Sequence, residues 1–336
     1  MTRGLRLSRG TIPYLLLLPG LAWLFVFYVY PAIQMFLVSL WTGNVEAGYA
    51  LTFNWGIYPE ALGQYWPWIV RSAAYGGLAT ILTFVLGYPL AYTIAFRGGQ
   101  YKNLLLFLVI APFFTSFLLR TLSWKIILAD SGIVLGPLKD VGLLPDDFRL
   151  LATPAAVVAG ITYNFLPFMT LPLYVALEKV DRRLVEAAED LYAGPWRPGG
   201  TIVGAIIGGV LAAVVALIME ADIIVPALAG AIVGGLIGTF LISQAFLRVT
   251  FPLSLPGVFA GSLLTFIPAV GDFVNAELLG DPSSQMIGNV IQARFLKITD
   301  YPMASALSFI LMAAIIVGVL VYARLLGTEE LTGGRG

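Results

Sequence analysis

The sequence predicts an all-α integral membrane protein that crosses the bilayer eight times. Of its 336 residues 59% are hydrophobic and only 11% charged, against about 45–50% and 25% in an ordinary soluble domain. Its mean hydropathy is +0.90, and its apolar residues gather into stretches of about 20, the length a helix needs to span the hydrocarbon core. A water-soluble fold of this size has no interior large enough to hide so much apolar surface. In lipid the same surface faces outward, provided the backbone satisfies its own hydrogen bonds in helices.

The first stretch, 13 to 40, follows Arg3, Arg6 and Arg9. A signal peptide also begins with basic residues, but this run continues through Pro19 and Pro31 with no small-x-small cleavage site after it. An uncleaved first span is expected. Further spans are expected at 69 to 96, 103 to 122, 153 to 177, 201 to 219, 223 to 243, 252 to 273 and 302 to 325. Pro167 and Pro172 predict kinks in the span at 153 to 177. The segment from Ser123 to Ala152 mixes Trp124, Ile126 and Leu128 with Asp130, Lys139 and Asp146, broken by Gly132, Pro137 and Pro145. It reads as a short amphipathic piece at the interface rather than a crossing. Placing the N-terminus inside puts twelve of the nineteen basic residues, but only seven of the nineteen acidic ones, on the inner side. The positive-inside rule therefore predicts that both termini are cytoplasmic.

Composition also closes off chemistry. With no cysteine and no histidine, the chain has no thiolate nucleophile, no imidazole base and no zinc site built on those residues; no metal site, cofactor or catalytic residue is expected. No GxxxxGK[ST] phosphate loop occurs, so if ATP drives this protein another chain binds it. Basic and acidic residues cancel to a net charge of zero, which argues against a nucleic-acid partner.

After the fourth span comes a polar, helix-forming stretch, Glu178 to Trp196, in which Leu177, Val180, Leu184, Ala188 and Leu191 recur at intervals of three and four. One apolar side is expected, with Pro195 and neighbouring glycines ending the helix. Periodicity alone allows a plain surface helix between two spans. Glu186-Ala187-Ala188, followed by Leu191, Gly194 and Pro195, resembles the EAA loop of ABC importer permeases, whose coupling helix docks on a cytoplasmic ATPase. The second half of that motif is similar to Gln244 through Gly257, with Phe251-Pro252 and Pro256-Gly257. Gly87-Tyr88-Pro89-Leu90-Ala91-Tyr92, the run from Pro112 to Trp124, Gly271-Asp272-Phe273 and Met286 to Ile291 resemble permeases of the spermidine/putrescine type. The resemblance covers about residues 10 to 327. It implies a six-helix, MetI-like transmembrane domain in a bacterial inner membrane, importing a polyamine or another small solute. It also implies partners: an ABC ATPase in two copies, a second related permease, a periplasmic or lipid-anchored binding protein and membrane lipid.

Two departures stand out. Tyr192 occupies the place where the family has glycine, and the two halves of the motif are split by 46 residues, 198 to 243. That insertion reads as two spans around Glu220-Ala221-Asp222, with Gly200, Gly204 and Gly208 on the first and Gly230, Gly234 and Gly238 on the second. This small-xxx-small spacing predicts a tight helical hairpin. Two crossings return the chain to its starting side, so the later topology is unchanged. The hairpin reads as a tolerated insertion, an accessory contact surface or a disruption of docking, and a hairpin rooted beside a coupling helix predicts looser coupling. The expected organisation is a first span and outer loop (1–67), a permease core (68–327) holding the hairpin (198–243), and a tail (328–336).

Asp272 and Glu277, near one end of the seventh span, are candidate partners for a cationic solute, because carboxylates stabilise ammonium groups where water is scarce; a solvated interfacial pair is the alternative. Tyr163 and Phe165 are candidate pathway residues through cation–π contact, or packing. A secondary transporter or channel without an ATPase is the main rival. It would show an inverted repeat or buried mid-membrane charge pairs, and neither is visible.

Overall fold

A computed structural model describes residues 12–142, 145–191 and 245–325, together with 202, 204–209, 212 and 230–232. In chain order, α1 (Ile12–Leu24) continues through a π-helical turn (Phe25–Val29) into α2 (Tyr30–Ser39). Strands β1 (Trp41–Asn44) and β2 (Gly48–Leu51) form an antiparallel hairpin, pairing Trp41 with Leu51. Then follow α3 (Ile57–Tyr92), α4 (Lys102–Ile110), α5 (Phe117–Ile127), α6 (Leu135–Asp140), α7 (Pro154–Glu178) and α8 (Arg182–Leu191). After the insertion come α9 (Phe251–Val270), α10 (Val274–Leu279), α11 (Ile287–Gln292) and α12 (Tyr301–Leu325). Among the described residues five helices are long and apolar enough to cross a membrane, or six if one bent pair counts as a span. The expected spans at 201 to 219 and 223 to 243 lie largely outside the described residues, so eight crossings are not established.

The chain divides into two compact units. The first holds residues 12–66 with 290–314. Here a short two-stranded hairpin sits in an otherwise helical chain. Gly43 and Gly48 have positive φ, conformations that suit glycine, and Asn44 Oδ1 accepts from Ala47 N at 2.7 Å to close the loop. Tyr49 on β2 donates to the Thr299 carbonyl and packs 5.5 Å from the Tyr301 ring. Arg294 pairs with Asp300 at 3.1 Å and bonds Tyr65. The described side chains of α1 from Leu16 onward are all exposed, as expected of an apolar helix covered by lipid rather than protein.

Helix α3 begins at Ile57, well before the expected 69. Residues 57–68 include Glu60, Gln64 and Pro67, too polar to register as part of a span, yet Ile57, Ala61, Tyr65 and Ile69 fall four apart and are all buried. That one-sided burial carries the helix past the hydrocarbon-length segment.

The second unit holds residues 67–289 with 315–325. The expected span at 103 to 122 is instead a bent pair, 99–114 and 117–127, meeting at 95°. Thr115 and Ser116 are extended at the break, just after Pro112. Helix α7 starts at Thr153, whose Oγ1 accepts from Ala156 N at 3.3 Å, with Pro154 at the first position; both are standard start signals. It remains a single helix through Pro167 and Pro172.

Among the described residues, helices α7 and α9 share the most extensive contact. A Cβ on Gly257 would lie 2.5 Å from Ala176 Cβ and 2.7 Å from the Pro172 carbonyl, and one on Gly261 would meet Met169 Sδ at 2.8 Å. In lipid, association rests on such close packing rather than on solvent exclusion. A similar approach occurs in the inserted segment, where a Cβ on Gly230 would sit 2.3 Å from both Ala212 Cβ and the Gly208 carbonyl. The predicted glycine-mediated contact is thus present at that point, while the charged tip Glu220-Ala221-Asp222 lies outside the described residues.

Gly257→Ala should lower the thermal midpoint of the purified protein, at a cost of roughly 1–3 kcal/mol for overpacking. Gly77→Ala, where nothing lies within 4 Å, should leave it unchanged or slightly raised. Equal midpoints for the two variants would refute the backbone-distance contact.

Candidate coupling helix and polar core

One candidate site forms where α7 ends. Lys179 caps α7, Val180 and Asp181 turn the chain, and Asp181 Oδ1 accepts from Arg183 N at 2.9 Å as α8 begins. Because the helix restarts here, the spacing that runs 177, 180, 184, 188, 191 in the sequence does not describe one continuous face. Leu177 belongs to the core of α7, and the side of α8 that is buried carries Val185 and Ala188, with Val180 from the turn. Leu184 is 52% exposed and Leu191 77% exposed, so the expected apolar row is split between the buried side and the surface. With Ala187 they line an outward apolar ridge, beside Glu186 and Asp190, which are also exposed.

Three contacts hold α8 in place. Arg182 Nη2 donates to the Ala95 carbonyl at 3.1 Å, in the π-helical turn Thr93–Arg97 that ends the second span. Lys102 pairs with Glu178 and lies 5.4 Å from the Tyr174 ring. This ion pair is part-exposed and contributes about 0–1 kcal/mol. Burial of Val185, at roughly 1.5–3 kcal/mol, outweighs it. Third, α8 packs against the π-helical turn Phe246–Thr250 that leads into α9. Both halves of the split motif therefore meet in space. Phe246 also packs against Tyr88 at 5.4 Å and Tyr92 at 6.1 Å, and Tyr88 Oη shares a 2.7 Å hydrogen bond with Ser254 Oγ. Gly87 to Tyr92 and Gln244 to Gly257, separate in sequence, thus form one packed cluster. Gly194 and Pro195 lie outside the described residues.

A second cluster lies at the other end of α9. Asp272, only 6% exposed, accepts from Asn275 N at 3.0 Å and from Asn275 Nδ2 at 2.5 Å. Asn275 Oδ1 in turn accepts from Asn164 Nδ2 at 3.2 Å and lies 3.3 Å from Thr121 Oγ1. Asn164, Asn275 and Thr121 are all buried, and they join α5, α7 and α10 around the carboxylate. None of the three was singled out from sequence. A polar side chain such as Asn164 inside an apolar span is itself the available signal.

The four predicted pathway residues do not share one environment. Glu277 is exposed and accepts from Asn289 Nδ2 at 3.3 Å. Tyr163 packs 5.3 Å from Trp124. Phe165 is buried in an apolar cluster with Val157, Ile161 and Met286, in contact with Phe117 and Phe168.

Residues 243–327 match the family described as binding-protein-dependent transport system inner membrane component. The chain is 34% identical over 304 residues to the spermidine/putrescine transport system permease protein PotB of Haemophilus influenzae, covering 90% of each chain. It is 31% identical over 303 residues to PotB of Escherichia coli strain K12, covering 90% of this chain and 93% of that one. The inner membrane ABC transporter permease protein YdcU of the same organism is 27% identical, over 93% of this chain and 96% of its own. Among solved structures, the crystal structure of a bacterial ABC transporter involved in the import of the acidic polysaccharide alginate matches with a TM-score of 0.62 at 16% identity. It covers 95% of this chain and 96% of that one, which shows a common fold. The chain belongs to the family of inner-membrane permease subunits of binding-protein-dependent ABC importers.

Proposed function

We propose that this permease imports polyamines, handed over by an external binding protein and driven by ATP hydrolysis in a separate ATPase that docks on α8. Similarity to the PotB proteins over 90% of the chain carries the substrate class. A buried carboxylate, Asp272, is chemically suited to an ammonium group. The full assembly in this reading pairs the chain with a second related permease and two ATPase copies. Both termini lie in the cytoplasm, and the inserted hairpin at 198–243 brings the crossings to eight.

The mechanism follows from how α8 is tied. An ATPase that grips Leu184, Ala187 and Leu191 moves a helix joined to the end of the second span through Arg182 and packed on the turn that starts α9. Helix α9, about 30 Å long at 1.5 Å per residue, locks to α7 through its glycines and ends beside Asp272. Movement at one end therefore reaches the carboxylate at the other through packed backbone, not through loops. Helix α8 packs against residues 246–250, so the two halves of the loop meet despite the insertion between them.

Leu184→Asp combined with Leu191→Asp should abolish co-purification of the ATPase and cut uptake by about tenfold or more, as loss of interface anchors does, without reducing the amount of permease in the membrane. Undiminished co-purification would remove α8 as the docking face.

In proteoliposomes holding the whole assembly and its binding protein, labelled spermidine or putrescine should accumulate only with ATP inside. Asp272→Asn should slow that uptake about tenfold, the scale of one hydrogen bond to a charged group. Uptake at the wild-type rate would exclude Asp272 from the pathway.

A further inference from the structure

We infer that Arg120 is a tethered stand-in for the solute's cationic group, occupying an aromatic site from which an ammonium ion displaces it during transport. The inference rests on the polyamine reading above.

Arg120 lies on α5, directly after the 95° break. Its guanidinium carbon is 5.6 Å from the Phe113 ring centroid and 5.8 Å from that of Phe117. Those rings belong to a larger aromatic group. Phe113 packs edge-on against Phe168 at 5.0 Å, Phe117 lies 6.3 Å from Phe165, and Phe165 is 5.9 Å from Phe168. Among the described residues no carboxylate comes within ion-pair distance of Arg120, and its Nε and Nη1 are buried with no hydrogen-bond partner. The cation has lost water at those two atoms without gaining an anion. Ring quadrupoles are what hold it, a weak attraction that any other cation can match.

The surroundings favour an ammonium ion over the guanidinium. Asn164, 1% exposed, adjoins Phe165 in sequence, and its Nδ2 donates to Thr121 Oγ1, beside Arg120, at 3.2 Å. Its Oδ1 is buried with no donor. An unfilled buried carbonyl acceptor on the residue next to Phe165, together with aromatic faces, matches a compact ammonium with three N–H groups. The residues also sit on both sides of a non-helical joint, since Phe113 precedes the extended pair Thr115-Ser116 while Phe117 and Arg120 follow it. A change of angle there parts Arg120 from Phe113 without unwinding either helix. While Arg120 fills the site, the resting permease offers no vacant cation site at this point.

The test uses the complete assembly in proteoliposomes, with ATP hydrolysis measured in the presence and absence of spermidine-loaded binding protein. Arg120→Met, which keeps bulk but removes the charge, should raise solute-independent hydrolysis about 3- to 30-fold, the range set by a cation–π contact. Arg120→Lys should stay near the wild-type level. Phe117→Leu, which weakens the site from its other side, should raise solute-independent hydrolysis and also the apparent KM for uptake. Hydrolysis unchanged in Arg120→Met and Phe117→Leu, or raised equally in the Met and Lys variants as for a packing role, overturns the exchange. If the wild-type assembly takes up neither spermidine nor putrescine, the substrate class falls and the exchange with it. If it does, and the variants behave as wild type, the exchange alone falls.

Discussion

Gly257 and Gly261 let α9 lie against α7 at backbone distance, and both candidate sites take their positions from that contact. Helix α8 hangs from the end of α7 and packs on the turn that opens α9. Asp272 follows the last turn of α9, and its hydrogen-bond partner Asn275 bonds back to Asn164 on α7. A bilayer supplies no hydrophobic force to press two apolar helices together, so contact must come from shape. Side chains larger than hydrogen at 257 and 261 would part the helices and separate the two sites from their common frame.

The membrane-spanning character and the family were legible in the sequence, because each depends on features that survive in one dimension. Hydropathy over about 20 residues is a property of composition, and the motifs around Glu186, Phe251 and Tyr88 are contiguous strings. What was not legible depends on where the chain turns. Which side of α8 is buried is not visible in the periodicity, because the row 177, 180, 184, 188, 191 runs across a break at Lys179–Asp181 that no glycine or proline marks. Ile57 to Trp68 was taken for loop because its acidic and amide side chains lower the mean, although its one buried row at 57, 61 and 65 is helical in spacing. The β-hairpin rests on two glycines with positive φ, and Gly48-Tyr49-Ala50-Leu51 alone is too short to announce a strand.

Polar residues inside the second unit illustrate how a low-dielectric interior sorts its charges. Asp272 is buried yet receives two N–H bonds from a single residue, Asn275, whose own carbonyl oxygen is supplied from α7 and lies beside Thr121 of α5. The carboxylate is thus satisfied by neutral amide donors and not by an arginine. Arg120, one residue from Thr121, has no such support. Neither Asp272 nor Arg120 is in a salt bridge among the described residues, which is the arrangement expected where a mobile cation, rather than a fixed partner, completes the electrostatics.

The insertion is compatible with this architecture because of where it enters. In the proposed reading it crosses twice and returns the chain to its point of departure, which adds no constraint on the order of the spans that follow. Within it, Gly230 approaches Gly208 and Ala212 closely. The turn after the insertion, Phe246–Thr250, still reaches α8 and the tyrosines of the second span. A loop interrupted in sequence can remain one mechanical element when its two halves are each anchored to the same helices, Arg182 to the last turn of the second span and Phe246 to Tyr88 and Tyr92 of that span. The position of α8 is therefore fixed by tertiary contact and not by the length of chain that joins the two halves of the motif.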